Sequence, residues 1–237
     1  MISKKNKPEI SFISTIPGLE SIESCVPKPV SKYIPDWWKN MPTEKNNINI
    51  ENGPFFGNAK ICPSFADYFS NGYIMPMWTD TVIYVDSSTG EWRWRTPNTL
   101  FEWGTHPNNQ YLDYSQHKFF GKNSYAVLKM KCPWMVFSDQ EYLMYQLPTY
   151  FHFNEDFSIV PGVRQIDKYN EMNIQFLIHS DKKEIFIERG TPIAHFIPFK
   201  KEKPLIEVRD ATEKDLKKIN KHNINLKTKY FKFYRGV

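Results

Sequence analysis

The chain has 237 residues, of which 41% are hydrophobic and 16% aromatic, and its net charge is +5. This composition excludes a disordered protein, and a chain of this length buries enough surface on folding to form a core without disulfides or structural metal. No apolar run approaches the ~18 residues of a membrane span, and the basic N-terminus lacks the apolar segment of a signal peptide. We therefore expect a soluble, cytoplasmic protein with no membrane partner.

Residues 1–58 are predicted to form an irregular arm packed on the body of the protein. Seven prolines interrupt any regular element in this segment, yet aromatic residues such as Tyr33, Trp37 and Trp38 are too apolar for a free linker. The phrase YIPDWWKNMP is predicted to form one helical turn that anchors the arm, and residues 43–53 are predicted to form a loop.

The next segment predicts a short helix and a β-hairpin. In CPSFADYFSNGY, aromatic residues share one helical face, and Asn71 and Gly72 supply a left-handed stop. The phrases TVIYVD and EWRWRT are separated by turn residues 87–90, which is typical of a hairpin. Alternation in the second strand places its tryptophans on one face and Arg93 and Arg95 on the other.

Short strands continue toward the C-terminus. They are predicted at residues 125–131, 135–137, 141–147, 172–179, 184–188 and 193–199. Such strands with polar turns predict a single antiparallel β-sandwich or barrel over residues 59–205. Residues 206–237 are predicted to form a short helix, begun by a capping box of Thr212 and Asp215, and a basic-aromatic tail. The predicted fold class is therefore mainly β, with an irregular N-terminal arm, one or two short helices and a C-terminal helix and tail.

Positive charge is concentrated near the C-terminus. From Lys200 onward there are twelve Lys or Arg and five Asp or Glu, whereas the preceding 199 residues carry a net charge of −2. Either a solvated surface or an anionic partner such as nucleic acid would explain this tail. Basic and aromatic residues alternate in KYFKFYR, as they do in EWRWR, and this composition can hold phosphates and stack bases. The candidates for nucleic-acid contact are Lys227, Lys229, Tyr230, Lys232 and Arg235.

No motif assigns a reaction or a cofactor. The six histidines show no HxH, HxD or HExxH spacing, so a metal site would need His152, Glu155, His179 and His195 to converge from separate strands. The three cysteines have apolar or proline neighbours, which is typical of buried small hydrophobes, and Cys62 alone precedes a helix start. The sequence also lacks the GxSxG, GxxxxGK[ST] and GxGxxG loops. We predict no metal and no cofactor.

Two stretches supply candidate binding residues. The polar loop THPNNQYLDYSQH has the length that often carries function, and it contains His106, Asn108 and Gln110. The phrase IERGTPIAHFIPFK predicts a strand, a tight turn and a strand, in which Arg189 precedes a glycine free to adopt positive φ. His195 lies on the same strand face as apolar neighbours, and the strand pattern does not explain it.

Four phrases in the second half of the chain follow one another in a specific order. They are HPNNQ, LKMKCPWMVFSDQEYLMYQLP, PGVRQIDKYNEMNIQFLI and IERGTPIAHFIPFKKE, within residues 105–203. In this order the chain resembles an uncharacterised family of T4-like marine bacteriophages and some bacteria. Where that family reads V-D-T-D-x-Y, this sequence keeps Asp167 and Tyr169, and where the family has Gln after G-T-P-I-x it has His195. The family has no assigned reaction, so the resemblance implies a phage or environmental source.

The phrase IERGTPIAHF carries a second, weaker resemblance. Its strand, polar turn and strand are similar to the C-terminal half of the β-rich dUTPase and dCTP deaminase folds. Those enzymes carry an acidic catalytic loop of the G-x-I-D-x-D-Y type, of which PGVRQIDKY keeps only residues 166–169. We interpret this as a similar order of strands rather than a shared activity.

Three functional hypotheses follow. The leading one is a phage-type accessory or assembly protein that acts by binding, as a homo-oligomer or with a protein partner, in the host cytoplasm or the virion. The first alternative is a small-molecule enzyme, metal-dependent or nucleotide-acting, with its site in the barrel mouth near His106, Asp167, Arg189 and His195. The second alternative is nucleic-acid binding through the basic C-terminal tail.

Overall fold

A computed structural model describes residues 8–42, 59–86, 88–89, 91–105, 110, 126–179, 182, 184–202 and 204–221. The described part of the chain divides into two compact units. The first comprises its residues up to Met41 and from Asp67 to Lys201, and the second those from Pro42 to Ala66 and from Glu202 onward. Every helix among these residues is too short or too polar to cross a membrane.

Antiparallel strands dominate the first unit. Within the described residues they are β1 (Ile10–Ser14), β2 (Lys28–Pro29), β3 (Tyr73–Pro76), β4 (Thr81–Val85), β5 (Trp92–Arg95), β6 (Trp103–Thr105), β7 (Ala126–Ser138), β8 (Tyr142–Pro148), β9 (Phe157–Ile159), β10 (Gly162–Gln165), β11 (Glu171–Ile178), β12 (Glu184–Ile187) and β13 (Pro192–Lys200). The α-helices are α1 (Asp36–Lys39), α2 (Pro63–Ser70) and α3 (residues 213–221). Short 3-10 turns lie at Leu19–Ser21, Glu23–Cys25, Val30–Tyr33, Ala59–Ile61 and Tyr150–His152.

The strands form three sheets around a common core. Sheet A has the order β1-β7-β11-β9, with β6 also paired to β7; sheet B has the order β10-β8-β13-β3-β2; sheet C has the order β12-β4-β5. Buried side chains from all three, including Phe176 of sheet A, Met144 of sheet B and Ile83 of sheet C, belong to one hydrophobic cluster. The prediction of a mainly β, antiparallel, sandwich-like fold with few short helices is thus confirmed.

Several local predictions are also confirmed. The hairpin over TVIYVD and EWRWRT is the β4–β5 pair, in which Val85 faces Trp92 across the ladder. The helical turn in YIPDWWKNMP is α1, and the helix in CPSFADYFSNGY is α2. Gly72 and Gly190 adopt left-handed backbone angles, with φ of 89° and 90°, as the predicted helix stop and tight turn require.

One boundary prediction is wrong. We predicted two strands, 125–131 and 135–137, but β7 runs continuously from Ala126 to Ser138 and includes Pro133, although a proline lacks the N–H that a ladder uses. The ladder between β7 and β11 shifts register between Glu171 and Asn173, opposite the proline. Pro133 faces the β1 side of the sheet, and β1 ends at Ser14, opposite Trp134, so the missing N–H interrupts no hydrogen bond within the β1 ladder. The proline carbonyl instead accepts a hydrogen bond from the backbone N–H of Thr15, at 2.8 Å.

The N-terminal arm joins both larger sheets. Strand β1 pairs along β7 in sheet A, and β2 pairs with β3 in sheet B. Between them the chain turns through short 3-10 segments that bury Leu19, Cys25 and Val30. The prolines predicted an irregular backbone held by apolar residues, but they did not predict strands β1 and β2.

The described C-terminal part of the second unit centres on α3. The backbone N–H of Thr212 donates to Asp215 Oδ2 at 2.9 Å, and the N–H of Asp215 donates to Thr212 Oγ1 at 3.3 Å. This reciprocal pair is the predicted capping box. Arg209 donates to the same carboxylate, at 2.6 Å, and these contacts lower the pKa of Asp215.

Candidate functional site

The candidate residues from the polar loop fall mainly outside the described part of the chain. His106 and Asn108 lie outside the described residues, as do the tail residues Lys227, Lys229, Tyr230, Lys232 and Arg235. Gln110 is described and exposed. The hypotheses that use the loop and the tail therefore stay predictions.

Asp167 and Tyr169 lie where the chain passes from β10 in sheet B to β11 in sheet A. The turn is closed by hydrogen bonds from the N–H groups of Lys168 and Tyr169 to the carbonyl of Gln165, at 3.1 and 2.8 Å. Tyr169 is 73% exposed, and Asp167 Oδ1 is buried without a hydrogen-bond partner among the described residues. Asp167 and Tyr169, the two residues kept from the family pattern, thus lie in the turn that connects sheet B to sheet A.

Asp167 and His195 are not brought together. Strand β8 pairs with both of their strands: Gln165 faces Leu143, whereas His195 faces Leu147. Four residues along a strand correspond to about 13 Å, so the two side chains sit toward opposite ends of sheet B.

Arg189 and His195 are also in different surroundings. Arg189 is exposed, and its backbone N–H donates to Asp80 Oδ1 at 2.7 Å, just before the Gly190 turn. His195 is completely buried six residues later. An exposed guanidinium and a buried imidazole on either side of a turn do not form a shared pocket.

His195 fastens the end of α2 to β13. Its Nε2 donates to the carbonyl of Asn71 at 2.6 Å, and its ring packs edge-on to Tyr68, with centroids 5.0 Å apart. This bond fixes the neutral tautomer with the proton on Nε2, while the buried Nδ1 has no partner among the described residues. Burial lowers the pKa of His195, and the hydrogen bond to Asn71 opposes this only in part. The structure therefore explains His195 as a structural histidine.

We expect His195 to make folding sensitive to acid. Because its pKa is lowered in the native state, the unfolded chain takes up a proton near pH 6.5 that the native protein excludes. The free energy of unfolding should therefore be fully retained above about pH 7 and should fall as the pH drops below about 6.5, by at most about 1.4 kcal/mol per pH unit for this group.

Urea unfolding between pH 7.5 and 5 tests this expectation. His195→Gln should reduce the pH dependence, because a glutamine can donate to Asn71 and does not titrate. His152→Gln is the matched comparison, since burial lowers the pKa of His152 as well. A pH dependence that His195→Gln leaves unchanged would contradict the assignment.

A pocket of about 280 Å³ lies where strands of sheets A and B end side by side. We call it the Phe153 pocket. Its apolar lining comes from Pro148, Phe157, Ile159 and Ile193, and its other lining residues are Thr149, Tyr150, Phe153, Asn154, Glu155, Ser158 and His179. Strands β8, β9 and β13 and the residues directly after β8 and β11 supply most of these side chains, and the connection between β8 and β9 supplies Phe153, Asn154 and Glu155.

Polar groups line the Phe153 pocket at several points. His179 follows β11 and is only 6% exposed, held by a hydrogen bond from its own N–H to the carbonyl of Asp156 at 2.8 Å. Ser158, on β9, is only 9% exposed. Asn154 uses Oδ1 to accept the N–H groups of Asp156 and Phe157, at 2.9 and 3.0 Å, which leaves its amide N–H groups available. The pocket therefore offers hydrogen-bond donors and acceptors beside apolar walls.

Two exposed aromatic rings stand at the rim of the pocket. Tyr150 is 56% and Phe153 60% exposed, and the Phe153 ring lies 5.2 Å from the Trp37 ring. Trp37 donates its indole N–H to the carbonyl of Phe151 at 3.0 Å, which ties α1 to the same loop. The sequence-predicted anchor of the arm thus packs behind this rim.

Phe153 is held in a strained backbone conformation. Its φ of 47° and ψ of 45° are left-handed, and it is the one non-glycine residue with positive φ in the described part of the chain. That conformation costs an L-residue about 1–2 kcal/mol. Strain of this kind is concentrated at binding and active sites, where the surrounding structure holds it in place.

The composition of the pocket restricts its ligands. Among the described residues no lysine or arginine lines it, and Glu155 contributes a negative charge, so this lining is unsuited to a phosphate group. Aromatic rings at the rim favour a flat ligand surface. The buried Ser158 and His179 side chains and the exposed Asn154 amide favour a ligand edge that forms hydrogen bonds. Of the four residues considered for a metal site, Glu155 and His179 line this pocket, whereas His195 contacts Asn71 elsewhere.

The buried cysteines do not contribute a nucleophile. Cys25 and Cys132 are buried and free, and burial raises the pKa of both thiols, that of Cys132 to about 12. Neither is a thiolate at neutral pH. Their interpretation as small hydrophobes is confirmed. Cys62 is free and only partly buried.

The comparisons with known proteins add no family. No protein-family model matches the chain, and no curated protein matches it. Among solved structures the chain is similar to a native EIAV dUTPase, at a TM-score of 0.33 and 9% identity, over 60% of this chain and 86% of that one. A similarity at this level establishes neither a common fold nor a common function.

Proposed function

We propose that the protein acts by binding, and that the Phe153 pocket holds a flat, neutral or weakly basic ring with hydrogen-bonding groups at its edge. The observation that carries the proposal is the strained Phe153, whose exposed ring stands over a pocket with buried polar groups. A volume of about 280 Å³ is at the small end of ligand sites, so it suits one or two fused rings rather than a large ligand.

This proposal fits the leading hypothesis from the sequence, a phage-type accessory or assembly protein that acts by binding. In such a role the protein would recognise its ligand without converting it. The enzymatic alternative uses the same pocket, because Glu155 and His179 are titratable groups that line it. Conversion of a bound ring compound by the protein would support that alternative over simple binding.

The test is binding of indole and of adenine by calorimetry. We expect dissociation constants between about 10 μM and 1 mM, since fragments of this size gain at most about 1.5 kcal/mol per heavy atom and commonly much less. Phe153→Gly should weaken binding at least about tenfold, because the aromatic wall is lost. Its melting temperature should stay the same or rise, because glycine adopts the left-handed angles without strain.

Tyr169→Ala is the matched control. Tyr169 is a more exposed aromatic residue that does not line the pocket, so its removal should leave binding unchanged. Absence of binding by the unaltered protein, or equal binding by Phe153→Gly, would contradict the proposal.

A further inference from the structure

The outer face of sheet C displays aromatic and basic side chains that the pocket does not use. Register places Glu184, Tyr84 and Arg93 in one row across the three strands, and Phe186, Val82 and Arg95 in the next row. The opposite face is buried in the core through residues such as Ile83 and Ile185. We call these six outward-facing residues the sheet C platform.

Two arginines of the platform converge on one tyrosine. The guanidinium carbons of Arg93 and Arg95 lie 5.0 and 6.0 Å from the centroid of the Tyr84 ring. Neither arginine forms an ion pair with any residue in the described ranges, and both are exposed. Two guanidinium groups held beside the same ring create a local site for an anion, and Glu184, the carboxylate of the same row, lies two strands away from Arg93.

The platform also exposes an aromatic surface. Phe186 on β12 is 59% exposed. It occupies an outward-facing position in a strand whose residues alternate between exposed and buried. It lies in the same row as Arg95, with Val82 between them. The basic and aromatic groups are therefore spread across the face of the sheet, where a ligand would lie flat on it.

We propose that the sheet C platform binds single-stranded nucleic acid. Phosphates would contact Arg93 and Arg95, and a base would stack on Phe186. Such binding combines guanidinium contacts to the backbone with aromatic stacking that tolerates any base. An acidic peptide would satisfy the arginines but would leave Phe186 without a flat partner, so the platform as a whole favours the nucleic acid.

Fluorescence anisotropy with a labelled twelve-nucleotide oligothymidine, at salt concentrations from 50 to 200 mM, tests the proposal on the full chain. Arg93→Gln/Arg95→Gln should weaken binding at 50 mM salt about tenfold or more. It should also reduce the slope of log affinity against log salt by about 1.4, because about 0.7 counterions are released per single-strand phosphate contact. Phe186→Ser should weaken binding at least about fivefold with an unchanged slope, since stacking is worth about 1–3 kcal/mol per base.

Three comparisons make the result specific to the platform. Lys32→Gln/Lys168→Gln removes the same charge from exposed positions elsewhere, and its loss of affinity should be much smaller. A variant with Lys227, Lys229, Lys232 and Arg235 all replaced by Gln should still respond to the Arg93 and Arg95 substitutions. Equal losses in the lysine control, dependence on the tail residues alone, or tighter binding of a polyglutamate peptide would overturn the proposal. All substituted platform residues are exposed, so unchanged melting temperatures are expected and are to be checked.

Discussion

Gly72→Ala is expected to destabilise the protein by at least about 3 kcal/mol. Gly72 follows α2 with a φ of 89°, and a β-carbon at this position would meet the carbonyl oxygen of Phe196 at 2.3 Å. It would also lie 3.0 Å from His195 Nε2, the atom that donates to Asn71. The left-handed angle alone costs a non-glycine residue about 1–2 kcal/mol. The clash with backbone adds to this, because a strand carbonyl cannot move aside as a flexible side chain can.

The clash should also disturb the packing of α2 against β13. Displacing Phe196 would disturb the ladder in which it pairs with both Gln146 and Tyr73. Displacing His195 would leave a buried imidazole and a carbonyl without each other, and an unsatisfied buried polar group costs about 1–3 kcal/mol. We therefore expect the variant to be partly unfolded at 37 °C or to express poorly.

Gly18→Ala is the matched control for this prediction. Gly18 has nearly the same backbone angle, with φ of 80°, but nothing lies within 4 Å of where its β-carbon would be. Chemical denaturation of both variants should show a loss of only about 1 kcal/mol for Gly18→Ala, the cost of the left-handed angle without a clash. Equal losses in the two variants would show that Gly72 is required only for its backbone angle.

The strands that could be predicted from the sequence are those whose own residues, with the turn residues beside them, form a recognisable pattern. Strand β11 alternates apolar and polar residues, and strands β4, β12 and β13 are apolar runs bounded by turn residues. The α3 capping box depends on two residues three apart. Strands β1, β2, β6, β9 and β10 have two to five residues and pair with strands that are distant in the sequence, so alternation and turn signals do not distinguish them from a loop. Their pairing is decided by the long strands that they meet, and no local pattern contains that information.

The candidate site was harder to predict for the same reason. Phe153, Ser158 and His179 come from separate elements, and their proximity depends on the pairing of β9 with β11. A local signal did exist, because the stretch YFHFN concentrates aromatic residues before Asn154, whose side chain organises the following turn. Arg164 shows the converse case. The sequence did not single it out within PGVRQIDKY, whereas the structure shows that it forms hydrogen bonds to residues of both large sheets.

Arg164→Ala is expected to destabilise the protein by about 3–4 kcal/mol. From β10 in sheet B, the Arg164 guanidinium donates to Gln146 Oε1 through Nε and Nη2, at 3.1 and 2.7 Å. It also donates to the carbonyls of Glu171, at 3.3 Å, and Asn173, both on β11 in sheet A. Hydrogen bonds to a charged group are worth about 1.5–3 kcal/mol, and the acceptors left behind are largely shielded from water.

At position 164 the shape of the guanidinium group matters as well as its charge. Burial lowers the pKa of Arg164, yet the guanidinium stays protonated at neutral pH, and no carboxylate among the described residues forms an ion pair with it. The planar guanidinium instead donates four hydrogen bonds to neutral acceptors, which take the place of a carboxylate partner. Arg164→Lys should therefore lose about 1–2 kcal/mol even though the charge is retained, because an ammonium cannot reproduce the fork.

A double-mutant cycle identifies the contact that matters. Gln146 is buried and also donates to the carbonyl of Val160, at 2.8 Å, so it links Arg164 to the rest of the sheet interface. Urea unfolding of Arg164→Met, Gln146→Leu and the double variant should show a combined loss at least about 1 kcal/mol smaller than the sum of the single losses. The coupling is expected because each single change leaves a buried polar partner unsatisfied, whereas the double change removes both. Arg95→Ala, which removes an exposed guanidinium, should cost less than about 1 kcal/mol. Additive losses in the cycle would show that Arg164 and Gln146 stabilise the two sheets independently.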